Sequence, residues 1–100
     1  MEIIFEYHDV ESSKRLEDFA KEKLEALYNK FNFIVRADVF FRTENTSSDE
    51  TGMMCSIRLS VPGPRLFADS SHDNFLKSIS ESVNDLERQL RKKKEKMTTY

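Results

Sequence analysis

The sequence predicts an α+β fold with the element order β-α-β-β-β-α, in which a four-stranded sheet carries two helices packed on one face. Four segments alternate apolar and polar residues at the period of two that is typical of strands. Two longer segments repeat apolar residues at steps of three and four, which is the period of a helix. Each helical segment has a single apolar stripe that needs an apolar partner, so we place both helices side by side on the sheet.

The first two predicted elements are a strand at 2–7 and a helix that runs to about Asn29. The helix begins after Ser12 or Ser13, because a serine oxygen accepts a backbone N–H that the first helical turn leaves unpaired. Leucine, alanine and phenylalanine residues recur along one side of this helix and form its apolar stripe. The stripe consists of Leu16, Phe19, Ala20, Leu24, Leu27 and Phe31.

Three further strands are predicted at 34–42, 53–61 and 65–69, and we expect them to form an antiparallel meander. The hairpin loop at 43–52 has no apolar residue, and 62–64 reads Pro-Gly-Pro, which favours a tight turn. Alternation assigns to the core the side chains of Val35, Ala37, Val39, Phe41, Met53, Cys55, Ile57, Leu59 and Val61. It assigns to the opposite, partly exposed face Arg36, Phe40, Arg42 and Arg58.

The last predicted helix has an apolar stripe that stops before the helix does. Ile79, Val83, Leu86 and Leu90 step by four, three and four residues, but helix-forming residues continue to about Lys96. The part beyond the stripe is therefore expected to project past the sheet and to expose its side chains all round. Candidate N-caps precede this helix at Asp69, Ser70, Ser71 and Asp73.

Positive charge is concentrated at this end of the chain. The formal net charge is −2, yet residues 86–100 contain six Lys or Arg and two Glu, and the other residues contain ten and sixteen. Such a distribution turns the basic end toward a polyanion and the acidic body away from it. A helix C-terminus by itself favours only about two or three cations. The excess favours a phosphate-binding role for this end of the helix.

Two lysines of the first helix lie on one margin of its apolar stripe. Taken alone, Lys23 and Lys30 are explained by alkyl stems that pack on the core while the ammonium groups reach water. If that margin borders the last helix, however, the two lysines would extend its basic patch.

Composition and motifs argue against an enzyme, and we expect no catalytic residue, metal site or cofactor. With two Gly and one Cys, the chain has no Gly-rich phosphate loop and no Cys-rich metal cage. His72 precedes a helix, where a polar capping or turn role is common, and Cys55 is expected to be buried and inert. Phe40 and Phe67 are expected on the outer sheet face, where aromatic rings can stack bases. We assign them to edge packing or a minor contact.

The sequence also predicts a cytoplasmic protein with no membrane partner and no small-molecule substrate. No apolar run approaches the length of a membrane span. The first ten residues lack the basic and apolar regions of a signal peptide.

Three segments are characteristic: LEDFAKEKLEALYNKF at 16–31, IRLSVPGPRLFADSSHDN at 57–74 and ISESVNDLERQLRKKKEK at 79–96. In their order and spacing they resemble the family of ribosome hibernation-promoting factors and ribosome-associated inhibitors. Because the chain ends at Tyr100, it is similar to the short form of that family. The resemblance implies a fold like that of double-stranded-RNA-binding domains. It also implies binding to the small ribosomal subunit and its ribosomal RNA at the decoding region and tRNA path, which inhibits translation and promotes ribosome hibernation in stationary phase or stress.

The resemblance further implies that residues 1–100 form a single ribosome-binding domain with a basic helical C-terminus at 86–96. By position, the RNA-contacting surface that it implies consists of Lys23, Lys30, Arg88, Arg91, Lys92, Lys93, Lys94 and Lys96. Two alternatives remain open from the residues alone. One is a general double-stranded RNA binder, and the other is a protein-interaction module that dimerises through its open sheet face or its last helix.

Overall fold

The computed structural model describes residues 1–45, 47 and 51–98, and its elements follow the predicted order. The strands and helices are β1 (Glu2–His8), α1 (Lys14–Lys30), β2 (Arg36–Thr43), β3 (Met53–Ser60), β4 (Leu66–His72) and α2 (Phe75–Thr98). Much of the hairpin loop predicted at 43–52 lies outside the described residues. At its base, the N–H of Glu44 donates to the carbonyl of Gly52 over 2.9 Å.

The four strands form one sheet in the order β1-β2-β3-β4. β1 and β2 are parallel, with Phe5 opposite Val39, because α1 returns the chain to the same end of the sheet between them. β2, β3 and β4 form the predicted antiparallel meander. The predicted element order and antiparallel meander are therefore confirmed, and the parallel pairing of β1 with β2 completes the sheet.

Both helices pack on the same face of the sheet and enclose the core between themselves and the strands. Ala37, Val39 and Ile57 are fully buried at the centre of the sheet. The apolar stripes of the two helices cover them, and the stripe residues are buried except for the half-buried Leu16 and Phe19. The fully buried stripe residues are Ala20 and Leu24 of α1 and Ile79, Leu86 and Leu90 of α2.

Two buried serines fix the position of α2 on the sheet. Ser78 Oγ donates to the carbonyl of Met53 over 2.6 Å, and Ser82 Oγ donates to the carbonyl of Cys55 over 2.9 Å. Ser82 Oγ also lies 3.1 Å from Ser70 Oγ on β4. Because the carbonyls belong to β3, these hydrogen bonds set how far α2 extends past the end of the strands.

The outer face of the sheet is partly exposed, as predicted, but it is not uniformly wet. Asp38 is 4% exposed and binds Arg36, with 2.8 Å between Oδ1 and Nη2. Arg58 approaches the same carboxylate at 3.6 Å, and its guanidinium lies 5.7 Å from the ring centroid of Phe40. A buried carboxylate held by two guanidinium groups satisfies the rule that buried charges are paired.

The core assignments of Val35 and Met53 were wrong. Val35 is 63% exposed and precedes β2, because regular alternation begins only at Arg36 and Ile34 fills the core instead. Met53 is 39% exposed because it begins β3, where the sheet ends.

The predicted caps were right for α1 and wrong for α2. Ser13 Oγ accepts the N–H of Leu16 over 3.3 Å and caps α1. For α2 the cap is Asn74, whose Oδ1 accepts the N–H of Lys77 over 2.9 Å. The expected serine caps, positions 70 and 71, belong to β4, which runs to His72 and is longer than the pattern indicates.

Candidate nucleic-acid interface

The C-terminal part of α2 carries the cations that the sequence singles out. Leu90 is fully buried, whereas residues 91–97 are exposed apart from the half-buried Lys93. A helix of 24 residues is about 36 Å long, and the longest extent of the molecule is 48 Å. Exposure on nearly all sides is what the early end of the apolar stripe predicts.

One group of cations borders a groove between the ends of the two helices, which we call the interhelix groove. Its volume is about 410 Å³, and its lining is Lys30, Phe31, Arg91, Lys94 and Glu95. Lys94 Nζ lies 5.8 Å from the ring centroid of Phe31, which is a cation–π distance. The groove thus combines an aromatic base with cations from both helices.

Glu87 joins the cations of the two helices. Its carboxylate accepts a hydrogen bond from Lys30 Nζ at 3.4 Å and another from the guanidinium of Arg91, one turn later on α2. The Glu87 side chain is only 23% exposed. The margin of α1 that carries Lys30 therefore borders α2, which is the condition under which the sequence predicts an extended basic patch.

Lys23 lies on α1 but is not joined to the basic end of α2. Its ammonium lies 5.4 Å from the ring centroid of Phe19. Phe19 in turn lines a separate groove with Leu76 and Ser80, near the start of α2. The structure therefore brings Lys30, and not Lys23, to the cations of α2.

A second group of cations faces the turn between β3 and β4, in what we call the turn-side groove. Within the described part of the chain, no carboxylate forms an ion pair with Lys92 or Lys93. Gly63 has φ +88°, and a Cβ there would lie 3.2 Å from Lys93 Nζ, so a glycine suits this turn on both counts. The groove has a volume of about 350 Å³ and is lined by Pro64, Leu66, Gln89, Lys92, Lys93 and Lys96.

Arg88 lies on the exposed side of α2, where it pairs with Asp85 at 3.4 Å. Both side chains are largely exposed, at 68% and 41%. Exposed pairs of this kind contribute little to stability. The guanidinium can therefore exchange its carboxylate for a phosphate at small cost.

The two grooves place cations on two sides of one projecting helix. Such an arrangement can contact phosphate groups on both sides of α2. Phosphate contacts fix position and orientation but carry no base sequence. The surface is thus suited to the shape and charge of a folded polynucleotide.

The described residues offer no arrangement typical of catalysis. Burial disfavours the thiolate and raises the pKa of Cys55 to about 12, so this thiol is not a nucleophile at neutral pH. His72 pairs with Glu81 between β4 and α2. In residues 1–45, 47 and 51–98, no three His, Cys, Asp or Glu side chains come together as metal ligands do. No described helix is long and apolar enough to cross a membrane.

Sequence reasoning missed three residues that shape the two grooves. Glu87 has no role in the prediction from sequence, although its spacing from Arg91 is that of an i,i+4 ion pair. Phe31 was assigned to the core stripe, and it also forms the base of the interhelix groove. Gln89 donates to the carbonyl of Phe67 over 2.9 Å, a contact that no local pattern indicates.

A protein-family model described as Sigma 54 modulation protein / S30EA ribosomal protein matches residues 3–98. The chain belongs to this family. Two curated relatives, one from Pseudomonas putida strain KT2440 and one from Pseudomonas putida, are each named ribosome hibernation promoting factor. Each is 27% identical over 96 residues, which is 96% of this chain and 89% of the relative. The family resemblance seen in the sequence is confirmed.

Solved structures of similar fold support the architecture. A ribosomal subunit interface protein from Coxiella burnetii has a TM-score of 0.79 at 21% identity, covering 94% of this chain and 98% of its own. The N-terminal domain of Protein Y from Thermus thermophilus has a TM-score of 0.75 at 18% identity, covering 92% and 98%. Both proteins therefore share the fold that is built from these six elements.

Proposed function

We propose that the protein is a non-enzymatic, cytoplasmic ribosome-binding factor that inhibits translation and promotes ribosome hibernation in stationary phase or stress. Membership of the family over residues 3–98 supports association with the ribosome. The names of the Pseudomonas relatives support hibernation as the outcome. The name of the Coxiella protein supports a position at the interface between ribosomal subunits.

On the ribosome, the protein occupies the decoding region and tRNA path of the small subunit, where it contacts ribosomal RNA. The observation that carries this proposal is the projecting end of α2, with cations on two sides and Lys30 of α1 beside it. The proposed RNA-contacting residues at this end are Lys30, Arg88, Arg91, Lys92, Lys93, Lys94 and Lys96. The family resemblance adds Lys23, which lies apart from them on α1. A protein bound there would exclude tRNA and messenger RNA by occupancy, without any chemical step.

The test is co-sedimentation of the full chain with purified bacterial ribosomes across a salt series, with the variant Arg91→Glu/Lys92→Glu beside the natural protein. Both residues are exposed, so the variant is expected to fold normally. We expect binding at one copy per ribosome that weakens with salt, because phosphate contacts release counterions. The variant is expected to lose most of this binding and to lower the salt slope by about two.

A matched control changes net charge by the same amount elsewhere. Lys14→Glu/Arg15→Glu reverses two exposed cations at the start of α1 and is expected to retain ribosome binding. Equal losses in the two variants, or full affinity in a folded Arg91→Glu/Lys92→Glu protein, would contradict the proposed surface. A folded natural protein that does not co-sediment at low salt would contradict the function itself.

A general double-stranded RNA binder is the second candidate, because the same cations would bind any duplex of suitable shape. Competition separates the two functions. A ribosomal factor is displaced from labelled small subunits by unlabelled subunits far better than by an equal mass of naked duplex. A general binder is displaced equally by both.

A further inference from the structure

A groove of about 680 Å³ lies on the outer face of the sheet, opposite the helices, and we call it the open-face groove. Its centre is Ser56, which is 9% exposed and stands between Phe40 of β2 and Asp69 of β4 in the strand register. Phe67 lies two residues before Asp69 on the same strand. The residues used below line this groove, and they are Phe40, Arg42, Ser56, Phe67 and Asp69; Glu6 and His8 line its other end.

Phe67 is the aromatic ring in this groove that is available to a ligand. Phe67 is 53% exposed. Because transfer of an apolar ring out of water is favourable, covering this ring with a ligand would lower the free energy. Phe40 is half-buried, and the guanidinium of Arg58 lies over its ring at 5.7 Å. Phe40 thus forms a wall of the groove, and Phe67 offers a flat surface for stacking.

Phe67 is connected to the basic end of α2. Gln89 Nε2 donates to the carbonyl of Phe67 over 2.9 Å, and Gln89 also lines the turn-side groove with Lys92 and Lys93. β4 is an edge strand, so no further strand separates this helix surface from the outer face. A polynucleotide backbone that follows these lysines over the edge of β4 arrives at Phe67.

The charged groups that line the groove favour the base of a nucleotide over its phosphate. Asp69 is exposed and, among the residues that the structure describes, its carboxylate has no ion-pair partner. A carboxylate repels a phosphate but accepts hydrogen bonds from the N–H groups of a base. Guanine presents two such donors on one edge, at N1 and N2, which match the two oxygens of a carboxylate. Arg42, at another part of the lining, offers a positive charge for a flanking phosphate.

We propose that the open-face groove binds one unpaired guanine of a single-stranded RNA segment, with the base stacked on Phe67 and its edge paired with Asp69. The adjoining backbone contacts Lys92 and Lys93. The inference rests on the proposed function, since it assigns to the same RNA partner a single-stranded segment beside the part held by α2. It adds base readout to a surface that otherwise reads only shape and charge.

The test is a titration of the ¹⁵N-labelled full chain with two RNA hexamers, one of uridines only and one with a single central guanosine, followed by NMR. We expect the guanosine hexamer to shift the amide signals of Ser56, Phe67 and Asp69 in a saturable way and to bind about tenfold more tightly than the uridine hexamer. Phe67→Ala is expected to weaken its binding by about tenfold, the usual effect of removing one stacking ring. Asp69→Ala is expected to remove the preference for guanosine.

Two controls separate stacking from simple apolar contact. Phe67→Leu keeps an apolar side chain without an aromatic face and is expected to bind as weakly as Phe67→Ala. Val35→Ala removes an exposed apolar side chain outside the groove and is expected to bind like the natural protein. Natural affinity in Phe67→Leu would overturn the stacking assignment.

Three other results would overturn the groove assignment. Signals of Ser56 and Asp69 that shift with protein concentration alone indicate a second copy of the chain. Signals that respond to an arginine-rich peptide and not to either hexamer indicate a basic protein partner. RNA-induced shifts confined to α2 leave the proposed function standing and reject the groove. Groove binding by a protein that does not co-sediment with ribosomes rejects the function instead.

Discussion

Glu87 controls how much of the positive charge on α2 is available to a phosphate. It pairs directly with Lys30 of α1 and with Arg91 one turn later on its own helix. An incoming phosphate must therefore displace or share a carboxylate that already occupies both cations. On the proposed surface, we expect Glu87 to weaken binding of a polyanion that makes no further contacts, and so to favour a large RNA surface over an arbitrary duplex.

Replacing this carboxylate by the neutral amide in Glu87→Gln is expected to raise the affinity for a generic RNA duplex by about threefold to tenfold. The change removes a repulsive charge and frees two cations, so the salt slope should steepen by about one. The free energy of unfolding should change by less than about 0.5 kcal/mol, because partly exposed ion pairs contribute little. Fluorescence anisotropy of a labelled duplex across a salt series measures both effects.

Glu87→Asp is the matched control, since it keeps the charge and is expected to bind the duplex like the natural protein. Weaker duplex binding by Glu87→Gln would show that Glu87 acts mainly by holding Lys30 and Arg91 in place.

The exposure of each cation on α2 could be predicted from the sequence. Which cations of the two helices lie side by side could not. The exposure of Arg88, Arg91 and Lys92 follows from their helical angle relative to the buried stripe. The meeting of Lys30 with Glu87 depends on how α1 and α2 lie together, and these residues are 57 positions apart. No local pattern carries that information, so which cations share a groove emerges only from the packed structure.

α2 combines two parts with different physical roles. As far as Leu90 its apolar stripe is buried and anchors the helix, and beyond Leu90 it contributes charge instead of packing. Ser78 and Ser82 add hydrogen bonds to β3 within the anchored part. The position of the cationic end is therefore set by the packing of the anchored part and by its hydrogen bonds to β3.

Leu86→Ala tests the anchor. Leu86 is fully buried, so its truncation is expected to lower the free energy of unfolding by about 2–5 kcal/mol through lost apolar burial and a residual cavity. Urea denaturation followed by circular dichroism measures the loss. Arg88→Ala, at an exposed position two residues on, is the control and should change stability by less than about 0.5 kcal/mol. A near-zero effect of Leu86→Ala would mean that α2 does not pack through this stripe.

Element order and sheet topology were predictable because the periods of two and 3.6 are distinct over long segments. The ends of the elements were less predictable. The residues from Asp69 to Asp73 are compatible both with helix caps and with an edge strand. Pairing with β3 makes the segment as far as His72 part of β4. Val35 continues an apolar alternation by sequence, but the chain path between α1 and β2 exposes it.

At the scale of the whole molecule, charge separation governs approach to the ribosome. The excess of carboxylates outside residues 86–100 opposes a polyanion over most of the surface. If the proposed surface on α2 is correct, we expect the molecule to approach with the end of α2 foremost, since other orientations are repelled.

Neutralising two exposed carboxylates of α1 in Glu22→Gln/Glu25→Gln is expected to raise the association rate with ribosomes by about twofold to fivefold at low salt. The dissociation rate should change little, because neither residue belongs to the proposed contact. Stopped-flow measurements with labelled protein follow both rates. A gain that persists at high salt would contradict a long-range electrostatic origin, because salt screens such forces.

β1 is joined to the sheet on one side only, by parallel pairing with β2. Tyr7 donates to Glu17 over 2.6 Å and so ties β1 to the start of α1. Local unfolding of β1 with α1 would carry Lys30 away from Glu87, while β2, β3, β4 and α2 keep their mutual pairing. In the proposed complex, RNA that spans the interhelix groove would hold both units closed, and amide hydrogen exchange in β1 is expected to slow when the ribosome is bound. By linkage, such a partner would stabilise β1 and α1 against this local unfolding.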